Sequence, residues 1–236
     1  MTPSGTVRVM TRTGIDPVLA ARAAMHAALG DTARLAIVDD LALSDRSPRE
    51  LGERHGLSSN LLAHHLDVLE SAGLVTRSAS AGDGRRKYVR LVRSATTGLG
   101  SAGARLPGRV VFLCTHNSAR SQLAAALWTA RTGAVAESAG THPAPCVHPG
   151  AVAAAQRAGL DLAGAEPRLV GPLRRGAQVI TVCDRAHEEL DPQPTWWHWS
   201  IPDPVDTGTA AAFDAVVTDL DMRIAALVHP TEGSPT

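Results

Sequence analysis

Up to Val92 the apolar positions recur at helical spacing, and beyond Arg109 short unbroken apolar runs alternate with such stretches. The first pattern predicts helices over Ala20 to Leu29 and Thr32 to Leu43, with Gly30 closing the one and Asp31 capping the other. Ser47-Pro48-Arg49-Glu50 has the form of a capping box with proline at the first helical position, so a short helix opens there and ends near His55-Gly56. Ser58 starts a fourth helix, whose Leu62, Leu66 and Leu69 share one stripe before Gly73 stops it. Leu74 to Arg77 and Tyr88 to Val92 read as a strand pair. The tip between them, Ala81-Gly82-Asp83-Gly84-Arg85-Arg86-Lys87, is rich in glycine and positive charge. Two helices joined by a tight turn and followed by a basic hairpin predict a small winged helix-turn-helix domain over residues 15–93. Residues 1–14 are polar and read as a flexible arm, and the Ser-, Gly-, Ala- and Thr-rich stretch 94–108 reads as a linker.

The second pattern predicts an α/β domain over residues 109–230 and a tail at 231–236. Val110 to Leu113 reads as a buried strand and Leu123 to Ala130 as a helix; a strand near Val135 to Ser138, a helix from Pro149 to Ala158, a strand from Gln178 to Cys183 and a last helix from Thr209 to Val228 follow. Alternating strands and helices imply a parallel sheet covered on both faces. Ligands of such sheets sit at the C-terminal ends of the strands.

Cys114-Thr115-His116-Asn117-Ser118-Ala119-Arg120-Ser121 falls at such an end, between a strand and a helix. A loop in that position aims backbone N–H groups at one spot and makes an oxyanion site from Thr115 to Ser121. Arg120 adds a planar fork of donors suited to a tetrahedral oxyanion. The same positive field is expected to lower the pKa of Cys114 and make it a thiolate nucleophile. Ser121 is placed to donate to the sulfur and Asn117 to brace the loop. Asp203, stiffened by Pro202 and Pro204, is the expected acid that protonates a departing oxygen, with Asp206 the weaker candidate. Cys183 ends a strand as either a core thiol or a second redox group, and Cys146 lies in a Pro-rich loop with no assigned role. Trp196, Trp197 and Trp199 read as packing. His64 and His65 are adjacent and point apart on a helix, so no metal site is predicted.

The chain has 236 residues and no formal net charge, yet its halves differ. Residues 1–105 hold 14 Lys and Arg against 10 Asp and Glu, and residues 106–236 hold 9 against 13. The first half can meet nucleic acid; the second is no DNA binder on charge grounds. Three cysteines make no disulfide scaffold. No apolar run is long enough for a membrane span, and the first 30 residues lack a secretory apolar region with a cleavage site. With a reactive thiolate suited to a reducing compartment, the expected location is the cytoplasm.

Residues 20–92 resemble the arsenical-repressor family. The resemblance rests on Leu57-Ser58-Ser59, His64-His65-Leu66, Leu69-Glu70-Ser71-Ala72-Gly73-Leu74-Val75 and the Gly82-Asp83-Gly84-Arg85-Arg86 wing. It implies operator-DNA binding by a homodimer paired through this domain, with Ser59, Asn60, Ala63 and His64 facing the major groove and Arg85, Arg86 and Lys87 on phosphate. Many members sense arsenite through a cysteine cluster, but the first 113 residues contain no cysteine, which excludes a thiolate metalloid site there.

From Arg109 onward the chain resembles the low-molecular-weight tyrosine phosphatases and, within that fold, the thiol-dependent arsenate reductases. Four pieces carry the resemblance: Gln122 after Arg120-Ser121, where phosphatases of this fold usually have proline; Ser138-Ala139-Gly140; Val179-Ile180-Thr181-Val182-Cys183; and His198-Trp199-Ser200-Ile201-Pro202-Asp203-Pro204. The resemblance implies reduction of arsenate to arsenite through a Cys114 adduct, with Asp203 as acid and Cys183 closing a disulfide with Cys114. Leu190 and Ala119 stand where thioredoxin-coupled relatives carry further cysteines. The implied reductant is therefore external (mycothiol, glutathione or a thioredoxin-type partner), with no bound cofactor. A phosphotyrosine phosphatase fused to a regulator, or a transcription factor with an oxyanion-sensing domain, are the alternative readings.

Overall fold

A computed structural model of the protein describes residues 16–96 and 108–228; the predicted arm, most of the predicted linker and the tail lie outside the described residues. The N-terminal unit comprises helices α1 (Pro17–Leu29), α2 (Thr32–Leu43), α3 (Pro48–His55) and α4 (Ser59–Ser71), then strands β1 (Val75–Ala79) and β2 (Lys87–Leu91) and the short helix α5 (Arg93–Thr96). α1 starts three residues earlier than its apolar pattern suggests, because Asp16 accepts from Val18 N and Pro17 opens the helix. Both bonds of the capping box are present at α3: Ser47 N donates to Glu50 Oε2 (2.7 Å), and Glu50 N to Ser47 Oγ (3.3 Å). Leu62, Leu66 and Leu69 are buried against Ile37, Leu41, Leu51, Leu74 and Val89, so one apolar stripe of α4 closes the core of this unit. β1 and β2 pair antiparallel, Val75 opposite Leu91 and Ala79 opposite Lys87.

The C-terminal unit runs β3 (Val110–Cys114), α6 (Arg120–Thr132), β4 (Glu137–Gly140), α7 (Pro149–Arg157), β5 (Gln178–Thr181), α8 (Asp184–Glu189), β6 (Trp197–His198), α9 (Pro204–Thr207) and α10 (Ala210–Val228). Its sheet has the order β4-β3-β5-β6 with every pair parallel. Alternate residues of β3 serve two cores. Val110, Phe112 and Cys114 join the large cluster with Leu123, Trp128, Phe213 and Leu220, while Val111 and Leu113 pack with Val179, Val170, Leu190 and Trp196. β4 lies two residues beyond its predicted place, since Val135 is 79% exposed and its apolar character served no strand. Strand β5 ends at Thr181, and Cys183 caps α8 instead of closing the strand. α8, β6 and α9 span six residues or fewer, too few to show a period.

The two units meet along a polar seam. Asp45 N donates to His198 O (2.7 Å), His198 N to Ser44 Oγ (2.8 Å), Ser200 N to Asp45 Oδ2 (2.7 Å) and Trp199 Nε1 to Leu43 O (2.9 Å). The fully buried Arg223 of α10 pairs with the equally buried Asp45 (3.1 Å), and Arg90 with Asp219 (2.7 Å). Among the described residues no helix is long and apolar enough to cross a membrane.

Candidate active site

The segment from Cys114 to Arg120 wraps round the Cys114 sulfur. Asn117 N donates to Sγ (3.1 Å), and Ser121 Oγ lies 3.0 Å from it. The loop's carbonyls are turned the other way and held from behind: Thr141 N, His142 N, Ala144 N and His148 N donate to the carbonyls of Cys114, Thr115, His116 and Ser118. With its acceptors engaged outward, the loop is left to present donors inward. The Pro-rich stretch around Cys146 therefore has a bracing role that its sequence did not reveal. Asn117 holds the turn together in a left-handed conformation (φ +49°) that Asn tolerates well. Its Nδ2 donates to Ser121 Oγ (2.8 Å), and its Oδ1 accepts from Arg168 N (2.8 Å) and from Gln122 Nε2 (3.2 Å).

Ala119 caps α6, and Arg120 and Ser121 form its first buried turn, so a thirteen-residue helix points its N-terminus at the loop. Arg120 Nη1 donates to Ile201 O (3.1 Å), and Nη2 is ion-paired with Asp203 Oδ2. Asp203 also caps α9 by accepting from Val205 N (3.1 Å), which fixes its carboxylate at the mouth of the loop. Asp206 lies exposed on α9. Cys183 is buried with its Sγ 3.1 Å from Thr115 Oγ1, the side chain of the loop residue that follows Cys114. His116 is exposed and Ser118 half-buried. Cys146 is exposed, and all three cysteines are free thiols.

A sequence model of the low molecular weight phosphotyrosine protein phosphatase family matches residues 109–232. The chain belongs to this family. The match takes in Cys114, Arg120, Cys183 and Asp203 and leaves the N-terminal unit outside. No curated protein matches the chain. Among solved structures, an arsenate reductase in the phosphate-binding state is 23% identical over 51% of this chain and 95% of that one, with a TM-score of 0.43. The arsenate reductase from Archaeoglobus fulgidus is 27% identical over 50% and 98% (TM-score 0.42). The tyrosine phosphatase Wzb from Escherichia coli K30, in complex with sulphate, is 19% identical over 52% and 98% (TM-score 0.47).

One expectation about this phosphatase-family loop is overturned. Burial pushes the Cys114 thiol up from its ordinary pKa, and the opposing pull of Arg120 and Ser121 does not reverse it. Desolvation is the largest influence on the thiol, and the Arg120 guanidinium that opposes it is also ion-paired with Asp203. Close packing also explains Gly140. A Cβ there would come within 2.6 Å of Thr115 O and 2.9 Å of Asn117 N. Gly140→Ala is expected to displace the loop, weaken phosphate binding seen by calorimetry and destabilise the fold by about 1–3 kcal/mol. Unchanged phosphate affinity would show that the loop does not need this contact.

Trp199 is buried in the main core against Phe112, at 5.8 Å between ring centroids, and so serves packing. On the N-terminal unit, Ser59, Asn60, Ala63 and His64 are exposed along α4, whereas His65 is buried. Arg85, Arg86 and Lys87 are exposed at the hairpin. Among the described residues no cluster of three or more His, Cys, Asp or Glu side chains could hold a metal ion.

Proposed function

We propose that the protein reduces arsenate to arsenite with two of its own thiols. The observation that carries this reading is Cys183 Sγ against Thr115 Oγ1, which gives the anion loop a second buried thiol. Hydrolysis has no use for one. In the proposed sequence Cys114 displaces one oxygen of arsenate, Asp203 protonates it, and it leaves as water. Cys183 then attacks the Cys114 sulfur; the sulfur–arsenic bond breaks, its electron pair stays with arsenic, and arsenate has become arsenite. Two thiols and arsenic acid thus yield a disulfide, arsenous acid and water. Reduction of the disulfide falls to an external thiol such as mycothiol or glutathione, or to a thioredoxin-type protein, in the cytoplasm.

The N-terminal unit, taken as residues 15–93, is proposed to be a winged helix-turn-helix that dimerises and binds the operator of arsenic-resistance genes. Exposed Ser59, Asn60, Ala63 and His64 on α4 would read bases, and Arg85, Arg86 and Lys87 would meet phosphate. Residues 109–230 are then the enzyme domain. The family's description favours a second reading, hydrolysis of an aryl phosphate by the same Cys114, Arg120 and Asp203.

Arsenate-dependent thiol consumption, compared with aryl-phosphate hydrolysis by the same preparation, separates the two. After arsenate without added thiol, mass spectrometry should find a Cys114–Cys183 disulfide. Cys183→Ser should abolish the disulfide and most arsenate turnover, while Cys146→Ser behaves as wild type. Full turnover of Cys183→Ser with a small thiol would make Cys183 structural.

A further inference from the structure

The glycine-rich tip of the β1–β2 hairpin is bound by carboxylates of the other unit. Ala81 N donates to Asp184 Oδ2 (2.8 Å) and Asp83 N to Glu188 Oε2 (2.7 Å), while Ser80 Oγ (2.7 Å) and Tyr88 OH (3.2 Å) both donate to Glu188 Oε1. Gly82 lies so close to α8 that a Cβ would strike Glu188 Oε2 and sit 3.1 Å from the Arg185 Cα. A side chain there would have to push the Glu188 carboxylate aside and crowd the α8 backbone. Asp184 is gripped from its other side by His198 Nε2 (3.0 Å), whose ring Tyr88 covers at 4.6 Å.

The helix that carries both carboxylates begins immediately after Cys183. His187 N donates to Cys183 O (3.0 Å) as the first bond of α8, while one residue earlier Val182 N is tied to Leu113 O (2.7 Å) inside the sheet. Cys114 Sγ is engaged by Ser121 and Asn117, and Cys183 Sγ by Thr115. A disulfide would draw the two sulfurs to about 2.0 Å and fix their torsion, a geometry that the thiols' present contacts do not set. Val182 is anchored to Leu113, so any shift of Cys183 toward Cys114 passes first to the Cys183–Asp184 peptide and the first turn of a six-residue helix.

We infer that the hairpin tip and the Cys183 thiol are the two ends of one redox switch: the docked tip holds Cys183 against Thr115, and formation of the Cys114–Cys183 disulfide pulls Asp184 and Glu188 off the tip and releases it. The inference rests on the reading of Cys183 as the resolving thiol. The bond formed is sulfur–sulfur, the bond broken is sulfur–arsenic, and arsenate is the two-electron oxidant. Coupling of this kind is reciprocal, so loosening the tip must also free the thiol.

The test uses the full chain in two arms. In the first, hydrogen exchange of the Ala81 and Asp83 amides is measured in reduced protein and after diamide, with the disulfide located by peptide mapping. Both amides should exchange roughly tenfold faster or more in the disulfide form, as hydrogen bonds exposed by local opening do. In the second, iodoacetamide labels Cys183, with exposed Cys146 as internal reference, in wild type, Gly82→Val and the milder Glu188→Gln. Cys183 should react at least about fivefold faster in Gly82→Val, with a smaller change of the same sign in Glu188→Gln. Equal Cys183 rates in all three proteins overturn the switch, and so does unchanged exchange in protein whose Cys114–Cys183 disulfide has been mapped. If diamide yields no such disulfide, the resolving role of Cys183 fails, and the labelling rates alone decide whether tip and thiol are coupled.

Discussion

Cys114→Ser lowers turnover by roughly 10⁵–10⁶-fold, the scale on which an enzyme loses rate with its nucleophile, while phosphate or arsenate still binds. The two outcomes separate because different atoms serve them. On the proposed reading the oxyanion meets loop amides, whose carbonyls are tied to Thr141, His142, Ala144 and His148, and the Arg120 fork, groups that the Cys114→Ser change leaves in place. A serine hydroxyl in the same place keeps its proton at neutral pH and cannot supply electrons to arsenic. Calorimetric titration with phosphate, beside assays of arsenate-dependent thiol consumption and aryl-phosphate hydrolysis, measures both. Turnover within a few-fold of wild type would remove Cys114 from the reaction.

Asp203→Asn moves two observables in opposite directions. Formation of the Cys114 adduct should slow by roughly 10²–10⁴-fold, the usual range for a positioned acid. The Cys114 thiol should at the same time titrate lower, because the carboxylate that occupies Arg120 is gone and the guanidinium acts on the sulfur unopposed. At a pH below the thiol's pKa a larger fraction is then thiolate, and iodoacetamide should modify Cys114 faster in the variant. Rapid-mixing measurement of the first step, with a pH profile of Cys114 alkylation, tests the pair. A slower first step without faster alkylation would mean that Asp203 does not restrain Arg120.

Much of this arrangement is written locally in the chain. The capping box at Ser47 and the glycines after α3 and α4 are rules of a few consecutive residues, and they place α3 and α4 to within a residue or two. The strand–loop–helix around Cys114 is equally local, and its residues surround the sulfur as their order suggests. What the sequence withheld is what depends on distant partners. Whether Cys114 titrates low or high is decided first by the depth of its burial, which only the folded chain sets. Ser44 and Asp45 fall between two expected helices with no pattern of their own, and only their meeting with His198, Ser200 and Arg223 makes them a seam. The hairpin tip presents a basic surface in sequence, whereas its backbone is spoken for by Asp184 and Glu188.

The Asp45–Arg223 pair also bears on how far this protein can be divided. A cut in the chain between 97 and 107 would leave the carboxylate on one fragment and the guanidinium on the other, each having lost a partner it meets where no solvent reaches. It would also strip Trp199 of the Leu43 carbonyl and uncover a ring that has no exposed surface in the whole molecule. Neither half would keep the boundary it has in the intact chain. The protein has two units but is one module, and an inserted spacer, a domain exchange or a lone fragment would yield a different molecule from the part it was meant to represent.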